Sequence, residues 1–191
     1  MENKFLYRLG IDPAWKNLGV SLVRENVETG GVSIVASTVM NPSGYPSIPL
    51  FVNDLHNWVY ETIDKDGHGV IPENAENFLE SATIERFVAY AGVSTAETEN
   101  ICMIIGGLQQ VLFDKWGVMS LMLRAIDWKT SLVKELFKRK GFENPSTKLD
   151  KKFSIAAAKA CLDHEHKFET DHEADATCLA AYPVLTRKIK K

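Results

Sequence analysis

The chain has 191 residues, 45% hydrophobic and 25% charged, with a formal net charge of −3. These values predict one globular domain, spanning residues 1–191, with enough chain to bury a sizeable core. They exclude a polycation and a disordered chain. No apolar run approaches the ~20 residues of a membrane helix, and the opening Met-Glu-Asn-Lys is unlike a signal peptide, so no membrane association is expected. Cys102, Cys161 and Cys178 are odd in number and far apart, without Cys-x-x-Cys spacing, and are expected as reduced core residues of a cytoplasmic protein. Charge is segregated along the chain. Nine acids face two bases between Glu61 and Asn100, whereas nine bases face four acids between Arg124 and Lys152. A basic segment on a near-neutral chain marks a candidate polyanion-binding face.

In chain order, Phe5–Asp12 is an apolar, β-prone run ending in a carboxylate. A short connection with Pro13, Asn17 and Gly19 leads to a second run, Val20–Val23, and the pair reads as a hairpin. The turn Gly30-Gly31 precedes a third strand, Val32–Val39, and 41–49 is a loop by composition. Leu50, Leu55, Trp58, Val59 and Ile63 follow a helical period. The stretch from Asp64 half-matches a calcium loop, with Asp64, Asp66, Gly69 and Ile71 at positions one, three, six and eight. Its twelfth position, where a bidentate glutamate belongs, is Ala75, so we read it as an exposed acidic loop.

Ser81–Val88 is predicted as a strand carrying Glu85. Ser94 and Glu97 then form a capping box, opening a helix with Ile101, Ile104, Ile105, Leu108, Val111 and Leu112 on one face. Gly106-Gly107 weakens that helix and implies a close neighbour. Val118–Ile126 is predicted as a strand, Asp127 as the cap of a helix from Trp128 to Lys140, and Asp150 as the start of an alanine-rich helix through Leu162. A last helix, Asp171–Tyr182, opens with polar residues. His172 and Asp175 share one of its faces at i,i+3, and Asp171 and Asp175 are an alternative pair. His164 and His166 with His172 form a less favoured transition-metal alternative.

Acids thus stand at the end of the first strand, on the fourth, and at the start of the last helix. Hard oxygen ligands converging from separate elements suit magnesium, and two such ions ~4 Å apart suit phosphodiester hydrolysis. Leu9-Gly-Ile-Asp12-Pro with Gly19 downstream, Ile84-Glu85, and His172-x-x-Asp175-Ala resemble, in order and spacing, the RuvC family of Holliday-junction resolvases within the ribonuclease H-like superfamily.

The resemblance implies an α/β fold: a five-stranded mixed sheet, its first three strands antiparallel, with helices on both faces. It implies Asp12, Glu85, His172 and Asp175 as ligands of two magnesium ions, with manganese substituting, and it points to His172 over Asp171. Lys129 and Lys152 (or Lys151) correspond to the family's phosphate-contacting bases, and Phe87 or Tyr90 to an aromatic that helps open the junction. The implied activity is a structure-selective endonuclease on four-way junctions or other branched DNA, acting as a homodimer in the cytoplasm or another DNA-containing compartment. A nuclease for RNA–DNA hybrids or flaps, and a non-catalytic junction-binding protein of the same fold, are the rival readings. The long acidic 43–80 region and the extra segment between Lys129 and Lys152 depart from the family pattern.

Overall fold

The structure, a computed structural model, describes residues 5–67, 79–89, 94–140 and 148–187. Its strands are β1 (Phe5–Asp12), β2 (Leu18–Asn26), β3 (Val32–Met40), β4 (Leu79–Glu85) and β5 (Leu121–Leu123). Its helices are α1 (Ile48–Asp66), α2 (Thr95–Trp116), α3 (Ala125–Lys140), α4 (Lys151–Cys161) and α5 (Asp171–Leu185). The strands form one sheet in the order β3-β2-β1-β4-β5. β1 runs antiparallel to β2, as β2 does to β3, while β4 is parallel to both β1 and β5. This is the mixed sheet with an antiparallel first trio that the sequence predicted. No described helix is long and apolar enough to cross a membrane.

Alternation along the central strands sorts the sheet into two faces. Tyr7, Leu9 and Ile11 of β1, Leu18, Val20 and Leu22 of β2, and Ala82 and Ile84 of β4 join one core with α1 and α2. Between them lie Arg8, Gly10 and Asp12, paired in register with Val23, Ser21 and Gly19 of β2. That second face is covered by α5, with α3 and α4 behind it in a separate core built on Trp128, Phe153 and the alanines of α4 and α5.

The second face is unusually polar for a buried one, and it is laced by polar pairs, although the Thr83 hydroxyl is buried without a hydrogen-bond partner. Arg8 is 2% exposed. Its guanidinium donates from Nε to Glu25 Oε2 at 3.0 Å and from Nη1 to Ser81 Oγ at 2.8 Å. Thr177 of α5 sits 2.8 Å from Ser21 Oγ and from the Glu173 carbonyl. What allows α5 to lie so close is Gly10. A Cβ there would fall on the Ala176 carbonyl oxygen and come within 2.5 Å of Ala180 N.

Several local expectations are corrected. β2 starts at Leu18, so Gly19 belongs to the strand and not to the turn. β4 ends at Glu85, leaving Phe87 and Val88 beyond it. The strand expected over 118–126 shrinks to three residues, because the chain turns helical at Ala125. Asp127 is consequently inside α3, where its carboxylate takes two hydrogen bonds from Arg124 at 2.7 and 2.9 Å instead of capping. An apolar run alone does not distinguish a strand from a helix start, and the Arg124–Asp127 pair favours the helix. Cys102 is exposed, whereas Cys161 and Cys178 are buried, and all three are free thiols. Gly107 does meet a close neighbour, Val52, but Gly106 faces open space. Asp66 closes α1 and binds Tyr7 and Arg24 at 2.8 and 2.9 Å, and the rest of the half-matched calcium loop, from 68, lies outside the described residues.

Gly10→Ala is expected to destabilise the protein by about 3 kcal/mol, the upper range for overpacking, because backbone atoms of α5 have to move. A urea unfolding midpoint equal to that of the wild type would show that α5 does not depend on this contact.

Candidate active site

The register that builds the two faces also builds a site. Ile11 pairs with Ile84 across β1 and β4, so the next residue of each strand, Asp12 and Glu85, comes out side by side at their C-terminal ends. Both face α5. The helix begins at this edge because Thr170 caps it: its hydroxyl accepts from Glu173 N while the Glu173 carboxylate accepts from Thr170 N. A Cβ on Gly19 would strike the His172 carbonyl, so this glycine lets the first turn of α5 rest on β2. The result brings His172 and Asp175 to Asp12 and Glu85.

Each acid is held by a protein donor. His172 Nδ1 lies 2.7 Å from Asp12 Oδ2, with side chains 35% and 14% exposed. Lys129 Nζ donates to Asp175 Oδ2 at 2.9 Å and lies 3.4 Å from Ser154 Oγ and 5.0 Å from the Trp128 ring centre. The indole Nε1 of Trp128, which is fully buried, donates to Glu85 Oε2 at 2.8 Å. Asp175 Oδ1 is buried without a donor.

These donors do not fully offset the crowding of negative charge. Burial, and then the nearby Asp12, push the Glu85 carboxyl up to about 7 despite the Trp128 bond. Burial also raises Asp175, with Lys129 pulling it back. The hydrogen bond that His172 donates to Asp12 raises the imidazole against the effect of its own burial. Burial works against the charge on Lys129, but Asp175, Glu85 and Asp12 together hold its pKa above the usual value. The centre is a set of carboxylates short of positive charge.

The other predicted residues are placed as follows. Asp171 points to Lys151, 3.0 Å away. Burial opposes its ionisation, but that bond, a backbone hydrogen bond and the charges of Lys151 and His172 together lower the carboxyl. His172 and not Asp171 is therefore the residue in contact with the acids. Lys152 is exposed in the first turn of α4, whereas Lys129 is inside the centre. Phe87 is half-buried, packs on the α1–α2 core, and lines a cavity of about 540 Å³ that opens beside Asp12, Glu85 and His172. Tyr90 lies outside the described residues. His166 meets Phe168 edge-on at 4.7 Å between ring centres, and no described group of His, Cys and acidic side chains supports the three-histidine alternative. Sequence reasoning passed over Trp128 and Trp15. A buried indole needs an acceptor, and the position of Trp128 next to Lys129 was the available clue.

No known protein family and no curated protein matches the sequence. Solved structures do match the fold. RuvC of T. thermophilus in complex with a Holliday junction substrate superposes with a TM-score of 0.63 at 16% identity, covering 94% of each chain. A further Thermus thermophilus RuvC structure gives 0.62 at 16% identity over the same shares. The chain has the fold of RuvC. The yeast mitochondrial Holliday junction resolvase Ydc2 gives 0.53 at 15% identity, covering 93% of this chain and 77% of that one. The ribonuclease H-like sheet anticipated from the sequence is thereby established as the RuvC fold.

The raised Glu85 pKa has a definite sign for stability. The folded value, about 7, exceeds the ordinary 4.5, so the protonated form stabilises the fold below about pH 4.5 and that contribution is lost as pH rises through 7. In metal-free protein, Glu85→Gln should raise stability by about 3 kcal/mol at pH 8 and by little at pH 5. Urea unfolding at the two pH values reads this directly, and equal stability of variant and wild type at pH 8 would show that Glu85 is not electrostatically stressed.

Proposed function

We propose that the chain is a divalent-metal-dependent endonuclease that nicks branched DNA, four-way junctions above all. The observation that carries this reading is the meeting of Asp12, Glu85, Asp175 and His172 at one sheet edge, in a fold shared with RuvC and with a mitochondrial Holliday junction resolvase.

Those four residues would hold two magnesium ions, with manganese able to substitute. Carboxylate oxygens suit magnesium, and the imidazole is the softer partner. The chain's own chemistry fits a cation: Glu85 is pushed towards its neutral form, and Asp175 keeps one oxygen buried without a donor. Among the described residues no three candidate ligands enclose an ion as they stand. Cation binding therefore calls for His172 to release Asp12 and for Lys129 to withdraw from Asp175. When bound, the ions would supply an activated water and neutralise charge growing on the phosphate. Lys129, released, is the nearest base to the scissile phosphate, and Lys152 with Lys151 offers cations to the backbone further along α4. Two nicks related by symmetry call for two centres, so we propose a homodimer, for which the exposed Met103 and Phe113 of α2 offer an apolar surface.

Asp12→Asn should lower junction cleavage by several orders of magnitude while binding survives, since a neutral amide does not replace a carboxylate ligand. Near wild-type nicking by this variant in magnesium would remove Asp12 from the centre.

Salt dependence separates the bases. Lys152→Ala should reduce the log–log salt slope of junction binding by about one unit. With the divalent cation chelated, Lys129→Ala should change it much less, because in the metal-free chain Asp175 already neutralises that charge. Equal losses for both variants would mean that Lys129 meets DNA with its charge free.

A further inference from the structure

The first turn of α3 reaches the acidic centre twice. Trp128 donates from its indole Nε1 to Glu85 Oε2 at 2.8 Å, and the next residue, Lys129, donates to Asp175 Oδ2 at 2.9 Å. The resemblance gives Lys129 a role and Trp128 none. A buried tryptophan is ordinarily a core side chain whose N–H finds some acceptor. Here the acceptor is one oxygen of a carboxylate that the proposed metal centre needs.

The fold places this donor by a short route. Glu85 pairs in register with Leu123 of β5, and Arg86 N donates to the Leu123 carbonyl at 2.6 Å. The chain turns into α3 at once, where Asp127 N and Trp128 N donate to the Arg124 carbonyl at 3.0 and 3.2 Å. The strand beside Glu85 therefore feeds directly into the turn that carries its donor. The Trp128 side chain has no exposed surface and belongs to the core formed with Leu132, Leu136 and Phe153. Packing of this kind locks a rotamer, as a positioning group requires.

Charge separates Trp128 from the other two donors. A divalent cation entering the centre repels the Lys129 ammonium and needs a bare nitrogen on His172, so the contacts to Asp175 and Asp12 give way. The indole N–H is neutral and reaches Oε2 from inside the core, so it has no reason to leave. Among the described residues no hydrogen bond reaches Glu85 Oε1. The terminal torsion of a glutamate is broad, and a carboxylate without a fixed partner presents either oxygen. With Oε2 held, only Oε1 is left for a ligand bond.

We infer that Trp128 is a positioning residue of the centre, its indole N–H holding Glu85 Oε2 so that Oε1 is aimed at the cation. The inference rests on the metal-centre reading above, but not on which DNA is cut. Partners that orient a metal ligand in this way are worth about 10–100-fold in metal affinity or activity.

The test is the manganese affinity of the DNA-free protein, read from the electron paramagnetic resonance of the free ion. It compares the wild type, Trp128→Phe, and protein carrying benzothienylalanine in place of Trp128. Benzothienylalanine keeps the ring's shape and exchanges the N–H for sulfur, so it removes the hydrogen bond without opening the core. Both changes are expected to weaken manganese binding about 10–100-fold. In a Glu85→Ala background, where the acceptor is gone, Trp128→Phe should weaken it no further, whereas a packing role would subtract its effect again. Trp128-dependent manganese binding in a chain that leaves four-way junctions uncut would uphold the positioning role and overturn the nuclease reading. Equal affinity of the wild type and the benzothienylalanine protein would overturn the positioning role alone, as would an undiminished loss in the Glu85→Ala background. A wild type that binds no manganese would overturn both.

Discussion

The site exists because α5 lies directly on β1. A helix normally stands about 10 Å from a sheet, held off by side chains on both surfaces. Here Gly10 has none, and the facing surface of α5 is built from Ala176, Ala180 and their backbone. Gly19 does the same one strand over, beneath His172. These two glycines carry no chemistry, but they set the depth at which His172 and Asp175 reach the ends of β1 and β4. Of the polar pairs on the same face, Arg8 with Glu25 ties β1 to β2 within the sheet, and Thr177 with Ser21 ties α5 to β2.

That close packing has an electrostatic cost. Three carboxylates are brought together in a partly buried place, and the protein answers with one donor each: His172 to Asp12, Lys129 to Asp175, Trp128 to Glu85. The answer is incomplete, as the elevated Glu85 and the unpartnered Asp175 oxygen show. A site strained in this way favours cations over anions, and its residual stress is the opposite of what a purely structural cluster needs. The neighbouring charges divide the labour. Lys129 is committed inward to Asp175, Lys151 is committed to Asp171, and Lys152 is left at the surface.

Much of this was readable before the structure. The apolar, β-prone run Phe5–Asp12 reads as a strand, and the carboxylate closing it marks where the sheet stops. The i,i+3 spacing of His172 and Asp175 put both on one face of α5. What the sequence hid was pairing at a distance. Gly19 looked like a turn residue because nothing local shows that a helix 150 residues later would rest on it. Val118–Ile126 looked like one long strand because an apolar run has no period to betray the helix starting at Ala125. Asp127 looked like a cap for the same reason, while Arg124 was its true partner. Nothing local gives Trp128 or Trp15 a role, since only the folded chain shows one donating to Glu85 and the other lining the cavity beside it.

The central claim is that this acidic edge is a metal-dependent centre acting on branched DNA. Its most direct measurement is the mapping of products from a synthetic four-way junction, a flap and an RNA–DNA hybrid, each incubated with the wild-type chain in magnesium and in chelator. The account predicts paired nicks on opposing strands near the branch point of the junction, in magnesium only, with far slower cutting of the hybrid. A junction that is bound but left intact in magnesium and in manganese, or one cut equally well in chelator, would contradict it.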